Sequence, residues 1–275
     1  MLFLFLFGLI AALAAPSYAG SVDELRVCAA PNNLPFSNAR EQGFENEMAQ
    51  LVARDLGVRL RYVWRPQGRG FMVNALSSGV CDLVMSLPAD SQGVTATSPY
   101  YGSSYVLVMR KNSGLELRSL DDRRLGRLRI GVHVMGNSYA DVPPVRALAR
   151  NGVVGNITSY PLYADSSGPR PQPDLIRAVQ IGDIDVAVAW GPIAGYLAKD
   201  SIEPLEIVPI AADAETRDLD IAFDVAMGVG EQNEKLAGKL NTFIAEHGKE
   251  IRQILNSHGV PLQPLPQQTA FSLQR

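Results

Sequence analysis

The chain has 275 residues, with 25 Lys plus Arg against 28 Asp plus Glu and a formal charge of −3. That balance lacks the basic excess of a nucleic-acid binder, and 47% apolar with 19% charged residues is globular rather than disordered composition. Three His and two Cys exclude a disulfide-rich scaffold and leave few soft ligands for a metal site.

Met1 to Ala15 reads MLFLFLFGLIAALAA, without a polar side chain. A bilayer-spanning helix needs about 20 such residues, so the run is nearer to the apolar region of a secretory signal. It ends at Pro16, and Ser17 and Ala19 supply small residues at −3 and −1 of a cleavage site. The expectation is a signal peptide over residues 1–19 and a periplasmic mature chain that is not a membrane protein after cleavage. No Lys or Arg precedes the run, which departs from the usual signal; a retained anchor is the alternative.

Strands then alternate with helices. LRVCAA (Leu25 to Ala30) is an apolar strand, followed by the polar loop PNNLPFSN. In GFENEMAQLVARDLG, the spacing of Phe44, Met48, Leu51, Val52 and Leu56 predicts a helix, with Gly57 as its stop. VRLRYVW (Val58 to Trp64) alternates apolar and basic residues, a strand with one wet face. FMVNALSSG reads as a short helix before the strand CDLVMS, and TSPYYGSSYVLVMRKN carries a long apolar run. LRIGVHV starts a second unit, with a loop and helix in GNSYADVPPVRALARNG and a strand in ITSYPL. PDLIRAVQIGDIDVAVAW is helix, Gly turn and buried strand; GPIAGYLAKDS is a helix, and LEIVPI and DIAFDVAMGVG are strands. One or two amphipathic helices close the chain, and the Pro- and Gln-rich tail after Val260 reads as loose. This alternation predicts an α/β fold. FMVNALSSGVCDLVMS and DLIRAVQIGDIDVAVAW share one form, which predicts two similar halves.

Cys28 in LRVCAAP and Cys81 in GVCDLVMS both lie in short apolar patterns. Export favours a bridge, while two buried free thiols fit the spacing equally well.

Taken in order, LRVCAAPNNLPFSN, GFENEMAQLVARDLGV, ALSSGVCDLVMS, SPYYGSSYVLVMRK, LRIGVHVMGNSY and AVQIGDIDVAVAWGPIAGYL resemble the family 3 extracellular solute-binding proteins. These are the periplasmic receptors of polar amino-acid ABC transporters. The resemblance spans about residues 25 to 258 and implies a type II periplasmic binding protein fold. That fold has two α/β lobes, each a mostly parallel sheet flanked by helices, joined by two crossover strands with the ligand in the cleft. It implies lobe one over 20–110 plus 220–275 and lobe two over 111–219, with crossovers near Val106 to Arg110 and Ala222 to Val229. It also sets the strands of Cys28 and Cys81 side by side, which implies a Cys28–Cys81 disulfide. Four blocks, VCAAPNNLPFSN, GFENEMAQLVARDLG, RGFMVNAL and CDLVMSLPAD, are similar to the accessory proteins encoded beside quinoprotein methanol dehydrogenases, the MxaJ and XoxJ group.

The receptors of this family hold an amino acid by an Arg on its carboxylate and an Asp on its ammonium. The resemblance places the Arg just before the Ser-Pro-Tyr block, where this chain has no Arg or Lys from Pro88 to Tyr101. It places the Asp where this chain has Trp190 and Gly191. An unpaired buried carboxylate costs several kcal/mol, so a zwitterionic amino acid is not the expected ligand. The candidate cleft residues are Asn32, Asn33, Pro35 and Phe36 after the first strand and Arg69, Gly70 and Phe71 at the second helix. Tyr100 and Tyr101, Gly136, Asn137 and Ser138, and Trp190 with Gly191 complete the set. Packing between lobes is the alternative role for Tyr100, Tyr101 and Trp190, turn formation for Asn32 and Asn33, and a solvated surface position for Arg69.

Elsewhere, Arg118, Arg123, Arg124, Arg127 and Arg129 read as a solvated connection, with a docking patch as the alternative. Asp218, Asp220 and Asp224 offer too few oxygens for a Ca²⁺ loop. His133, His247 and His258 lie far apart with no nucleophile pattern. No catalytic residue, metal or cofactor is expected. The first reading is a non-enzymatic accessory of a PQQ-dependent methanol or alcohol dehydrogenase, with that enzyme and its cytochrome c as partners. The second is an ABC-transporter receptor for a small polar or aromatic solute. An enzyme on this fold, such as a cyclic-acid dehydratase, is the third.

Overall fold

The structure is a computed structural model that describes residues 24–65, 71–134, 142–161, 172–210 and 218–265. The signal-peptide region lies outside the described residues, as do Arg69, Gly70, Gly136, Asn137 and Ser138. Among the described residues, no helix is long and apolar enough to cross a membrane.

The first half of the chain builds β1 (Glu24–Ala29), the two-residue hairpin strands β2 (Asn32–Asn33) and β3 (Ser37–Asn38), α1 (Phe44–Asp55) and β4 (Arg59–Trp64). Next come α2 (Phe71–Ser77), β5 (Leu83–Pro88), β6 (Thr95–Ala96) and the long β7 (Tyr101–Arg110). The second half adds β8 (Ile130–Val134), α3 (Pro143–Arg150), β9 (Ile157–Pro161), α4 (Gln172–Ile181), β10 (Val186–Trp190), α5 (Gly191–Lys199) and β11 (Leu205–Pro209). The chain returns through β12 (Ala222–Val229) and ends in α6 (Glu234–Glu246) and α7 (Gly248–Ser257).

One sheet path runs β4-β1-β5-β12-β7-β10-β8-β9, with β11 on β7 and β6 on β12. Pairing is parallel at each end, β4 with β1 with β5 and β10 with β8 with β9. It is antiparallel in the middle, where Tyr101 to Ser104 of β7 meet Ala222 to Val225 of β12. Beyond Ser104, β7 turns to β10 and β11. The long strand therefore serves both halves of the sheet.

Two main cores follow. The stripe of α1 buries Phe44, Met48 and Val52 completely against Leu25, Val27, Leu83 and Met85. Leu240, Phe243, Ile251 and Leu255 of α6 and α7 close the same core from the far end of the chain. On the other side of β7, Ile130, Val132, Val186 and Val188 pack with Leu148 of α3. Fully burying one such side chain stabilises by about 1.5–3 kcal/mol.

The tail departs from expectation. Val260 is buried, the Gln263 amide donates to the Gly102 carbonyl at 2.8 Å, and Ser103 Oγ donates to the Pro261 carbonyl at 3.3 Å. Gly102 lacks a side chain, so the tail can lie directly on the β7 backbone. Its composition reads as loose, yet residues 260–263 are fixed to the crossover.

Candidate functional site

A cavity of about 350 Å³ opens where β1, β5 and β10 end, at the carboxyl edge that open α/β sheets use for ligands. The loop after β1 contributes Ala30, Asn33, Phe36 and Ser37, and β5 contributes Ser86, Leu87 and Pro88. Glu45 enters from α1 and Met72 from α2. The opposite wall is Tyr101 and Tyr105 of β7, Trp190 at the end of β10, Ile193 of α5, and Phe223 and Val225 of β12.

The β2–β3 hairpin and the start of α1 form one unit. The first helical amides, of Phe44 and Glu45, donate to the Pro35 and Phe36 carbonyls, each at 2.9 Å. Asn46 Oδ1 accepts from the amides of Gly43 and Asn38, each at 3.1 Å, which caps the helix start. Gly43 permits this approach: a Cβ there would run into the Phe36 carbonyl. The unit fixes Phe36 and Glu45 on one wall.

Aromatic side chains dominate. Trp190 stands between Tyr105 and Phe223, edge-to-face with both, at centroid distances of 5.5 and 5.4 Å. Phe44 stands between Phe36 and Tyr101 at 5.2 and 6.1 Å. Tyr100 and Tyr101 are 6% and 3% exposed, which places them inside the wall and not on its rim. Tyr100 donates to the Met85 carbonyl at 2.7 Å and lies 3.2 Å from the Ser86 hydroxyl. Burial pushes the Tyr105 hydroxyl up to about 12 and raises those of Tyr100 and Tyr101 well above the ordinary phenol value.

Glu45 is the charged cavity residue that sequence reasoning missed. It is the one carboxylate among the described lining residues, and none of them is Lys, Arg or His. Burial raises its carboxyl to about 7, and a hydrogen bond with Ser86 pulls part of the way back. Asn33 is buried, and its Oδ1 has no hydrogen-bond partner among the described residues.

Of the remaining candidates, Asn32, Pro35, Phe71 and Gly191 are not among the described lining residues. Asn32 is exposed and pairs with Asn38 in the hairpin. Pro35 follows a cis peptide bond and is buried under the helix start. Gly191 opens α5, where a Cβ would press on the Ser104 carbonyl and the Pro261 ring. Phe71 opens α2. Cys28, which also lines the cavity, forms a disulfide with Cys81, with Cα atoms 5.6 Å apart; adjacent parallel strands β1 and β5 bring them there. The Arg-rich connection carries the ion pairs Arg124–Asp122, Arg129–Asp185 and Arg118–Glu206.

A cavity at the strand ends, walled from both sides of a two-strand crossover, defines a periplasmic-type binding protein. Residues 25–259 match the bacterial extracellular solute-binding proteins, family 3, and the chain belongs to that family. It is 30% identical to Protein MoxJ of Methylorubrum extorquens over 269 residues, which cover 93% of this chain and 86% of that one. The solved structure of the periplasmic binding protein XoxJ from Methylobacterium extorquens AM1 is similar at 36% identity with a TM-score of 0.71, over 88% of this chain and all of that one. MxaJ from Methlophaga aminisulfidivorans MPT is similar at 25% identity with a TM-score of 0.73, over 87% of this chain and all of that one.

Proposed function

We propose that this protein is a non-enzymatic periplasmic accessory of a PQQ-dependent methanol or alcohol dehydrogenase. It is exported through its signal peptide and aids the maturation or activity of that enzyme. One observation carries the reading: Trp190, at the position where the resemblance puts a receptor's aspartate, stands in an aromatic cavity wall with Tyr105 and Phe223. The near full-length similarity to MoxJ, XoxJ and MxaJ supports it. An acid–base enzyme on this fold needs a clamp for the substrate carboxylate, and the described lining residues offer no cation for one.

In this reading, residues 20–110 plus 220–275 move as lobe one and 111–219 as lobe two, closing about the β7–β12 contact. Phe36, Arg69, Phe71 and Trp190 form the contact rim, with aromatic and Arg residues as interface anchors. Cytochrome c is the second partner. A net charge of −3 steers weakly, so the complex is transient. The test is capture of the dehydrogenase from periplasmic extract on immobilised protein. Phe36→Ala or Trp190→Ala should weaken capture by more than about 1 kcal/mol while the variant stays folded. Folded variants that capture as wild type, or no dehydrogenase captured, overturn the reading.

The second reading, a transport receptor for a small solute, is favoured by the size of the cavity. Permease and ATPase genes beside this one would support it; dehydrogenase and cytochrome genes support the first.

A further inference from the structure

The described lining of the cavity carries one acidic residue and no basic one. One wall is the Tyr105–Trp190–Phe223 chain with Tyr101, and the other holds Phe36. Between them Glu45 supplies a carboxylate, with no Lys, Arg or His among the described lining residues. Asn33 supplies a buried amide oxygen that has no hydrogen-bond partner among the described residues.

We infer that this cleft binds an organic ammonium ion, a protonated amine on a small apolar substituent, held between Glu45, the Asn33 amide oxygen and the aromatic walls. Three independent features agree. Aromatic faces carry a negative quadrupole and attract a cation within about 6 Å of the ring centroid. A carboxylate in an apolar wall is poorly solvated and gains most from a cationic partner. A buried acceptor without a partner is relieved by an N–H donor, which an ammonium carries. An anion or a zwitterion would set its own carboxylate beside Glu45 with no cation to receive it. The volume of about 350 Å³ lies at the small end of ligand cavities, which suits a head group with a short chain. The same ammonium chemistry is found on a free amine and on a lysine side chain or N-terminus of a polypeptide. The inference therefore holds whether the protein serves a dehydrogenase or a permease.

Binding should depend on pH through Glu45. The titratable groups that face it are Tyr62 on β4 and the pair Tyr100 and Tyr101, all raised by burial and neutral from pH 6 to pH 8. On its own helix Glu47 pairs with His258 at 2.8 Å. A cation selects ionised Glu45, whose carboxyl lies at about 7 when the cavity is empty. Affinity should rise by about tenfold from pH 6 to pH 8, the change in ionised fraction across that interval. Binding near pH 7 should release protons.

Calorimetry on the mature protein tests this with n-butylammonium, with N-acetyl-lysine methylamide and with 1-butanol as neutral isostere. At least one ammonium probe should bind ten times more tightly than the alcohol and strengthen from pH 6 to pH 8. Butylammonium alone binding marks a free amine as the source; the lysine derivative alone marks a polypeptide; either outcome sustains the inference. Glu45→Gln should lower ammonium affinity about tenfold and flatten the pH profile, and Trp190→Leu should lower it with the profile kept. If Glu45→Gln does not fold, proton release by wild type, read in two buffers of different ionisation heat, decides in its place. Equal binding of the alcohol, no binding of either ammonium, ammonium affinity unchanged in folded Glu45→Gln, or no proton release overturns the inference.

Discussion

Arg26 and Asp82 form a forked pair that ties β1 to the start of β5. Arg26 Nη2 donates to Asp82 Oδ1 at 2.6 Å, and Arg26 Nε and its backbone amide donate to Oδ2 at 3.0 and 2.8 Å. The Asp82 amide returns a bond to the Arg26 carbonyl at 2.8 Å. The second half of the sheet repeats the arrangement at the same separation of 56 residues. There Arg129 Nη2, Nε and amide donate to Asp185 at 2.6, 3.1 and 2.8 Å, and the Asp185 amide donates to the Arg129 carbonyl at 2.9 Å. In each half the aspartate ends a helix–strand turn, while the arginine sits near the start of the neighbouring parallel strand, third in β1 and just ahead of β8. The recurrence is the physical content of the internal sequence similarity.

Removing the carboxylate should therefore cost more than a surface ion pair does. Asp82→Ala strips the partner from a backbone amide as well as from a guanidinium. It should lower unfolding stability by about 1–2 kcal/mol, combining one lost hydrogen bond with a partly exposed pair. Asp185→Ala should cost less, because Arg129 is 57% exposed against 32% for Arg26. Urea titrations of the two variants read the difference, and a larger loss for Asp185→Ala would refute the ordering.

The disulfide ties the same two strands. Cys28 and Cys81 are 53 residues apart, and closing a loop of that length disfavours the unfolded chain by about 4 kcal/mol in the chain-entropy account. The Cys28→Ser, Cys81→Ser double variant should lose about 3–4 kcal/mol in urea. Thiol titration of the unreduced wild type should find no free thiol, and finding two would refute the bridge.

The standard amino acids should not bind. Of the lining residues described, only Glu45 carries a formal charge, so the carboxylate of a zwitterion would go unpaired. In a thermal-shift experiment with millimolar Glu, Gln, Arg and His, the melting temperature should stay where it is. A ligand at a hundred times its Kd would add about 2.7 kcal/mol, and a rise of that order would refute the claim.

Much of the frame was legible because it rests on local periodicity: the α1 stripe predicts Phe44, Met48 and Val52 in the core, where they are. The site was legible only in part. Trp190 stands out as an aromatic where the family needs a charge. Glu45 does not stand out, because Glu45 and Glu47 together look like the ordinary acidic first turn of a helix. Only the hairpin that covers the helix start turns one of them into a cavity wall. Tyr105 and Phe223 read as strand residues, and their convergence on Trp190 comes from the β7–β10 and β7–β12 registers, which pair residues far apart in sequence. The Arg26 and Arg129 signals were present as the repeated LR at the start of each half's first strand pattern, a match that acquires meaning once the facing aspartates are paired with it.

Glu45 should also set a pH dependence of stability. Its carboxyl moves from 4.5 to about 7 on folding, because burial disfavours the charged form. The folded protein then holds a proton that the unfolded chain releases between those two values. Stability falls as pH rises from about 4.5 to about 7 and stays at the lower level above that. The loss is on the order of 2 kcal/mol, given that the side chain keeps some contact with solvent. Glu45→Gln removes the ionisation and keeps the shape. It should match wild type near pH 4.5 and exceed it by that amount at pH 8, while other acid-sensitive groups act equally on both proteins. Urea titrations at pH 4.5, 6 and 8 measure the difference. Parallel curves would mean that the Glu45 carboxylate is well solvated or paired in the empty protein, leaving it no reason to recruit a cation.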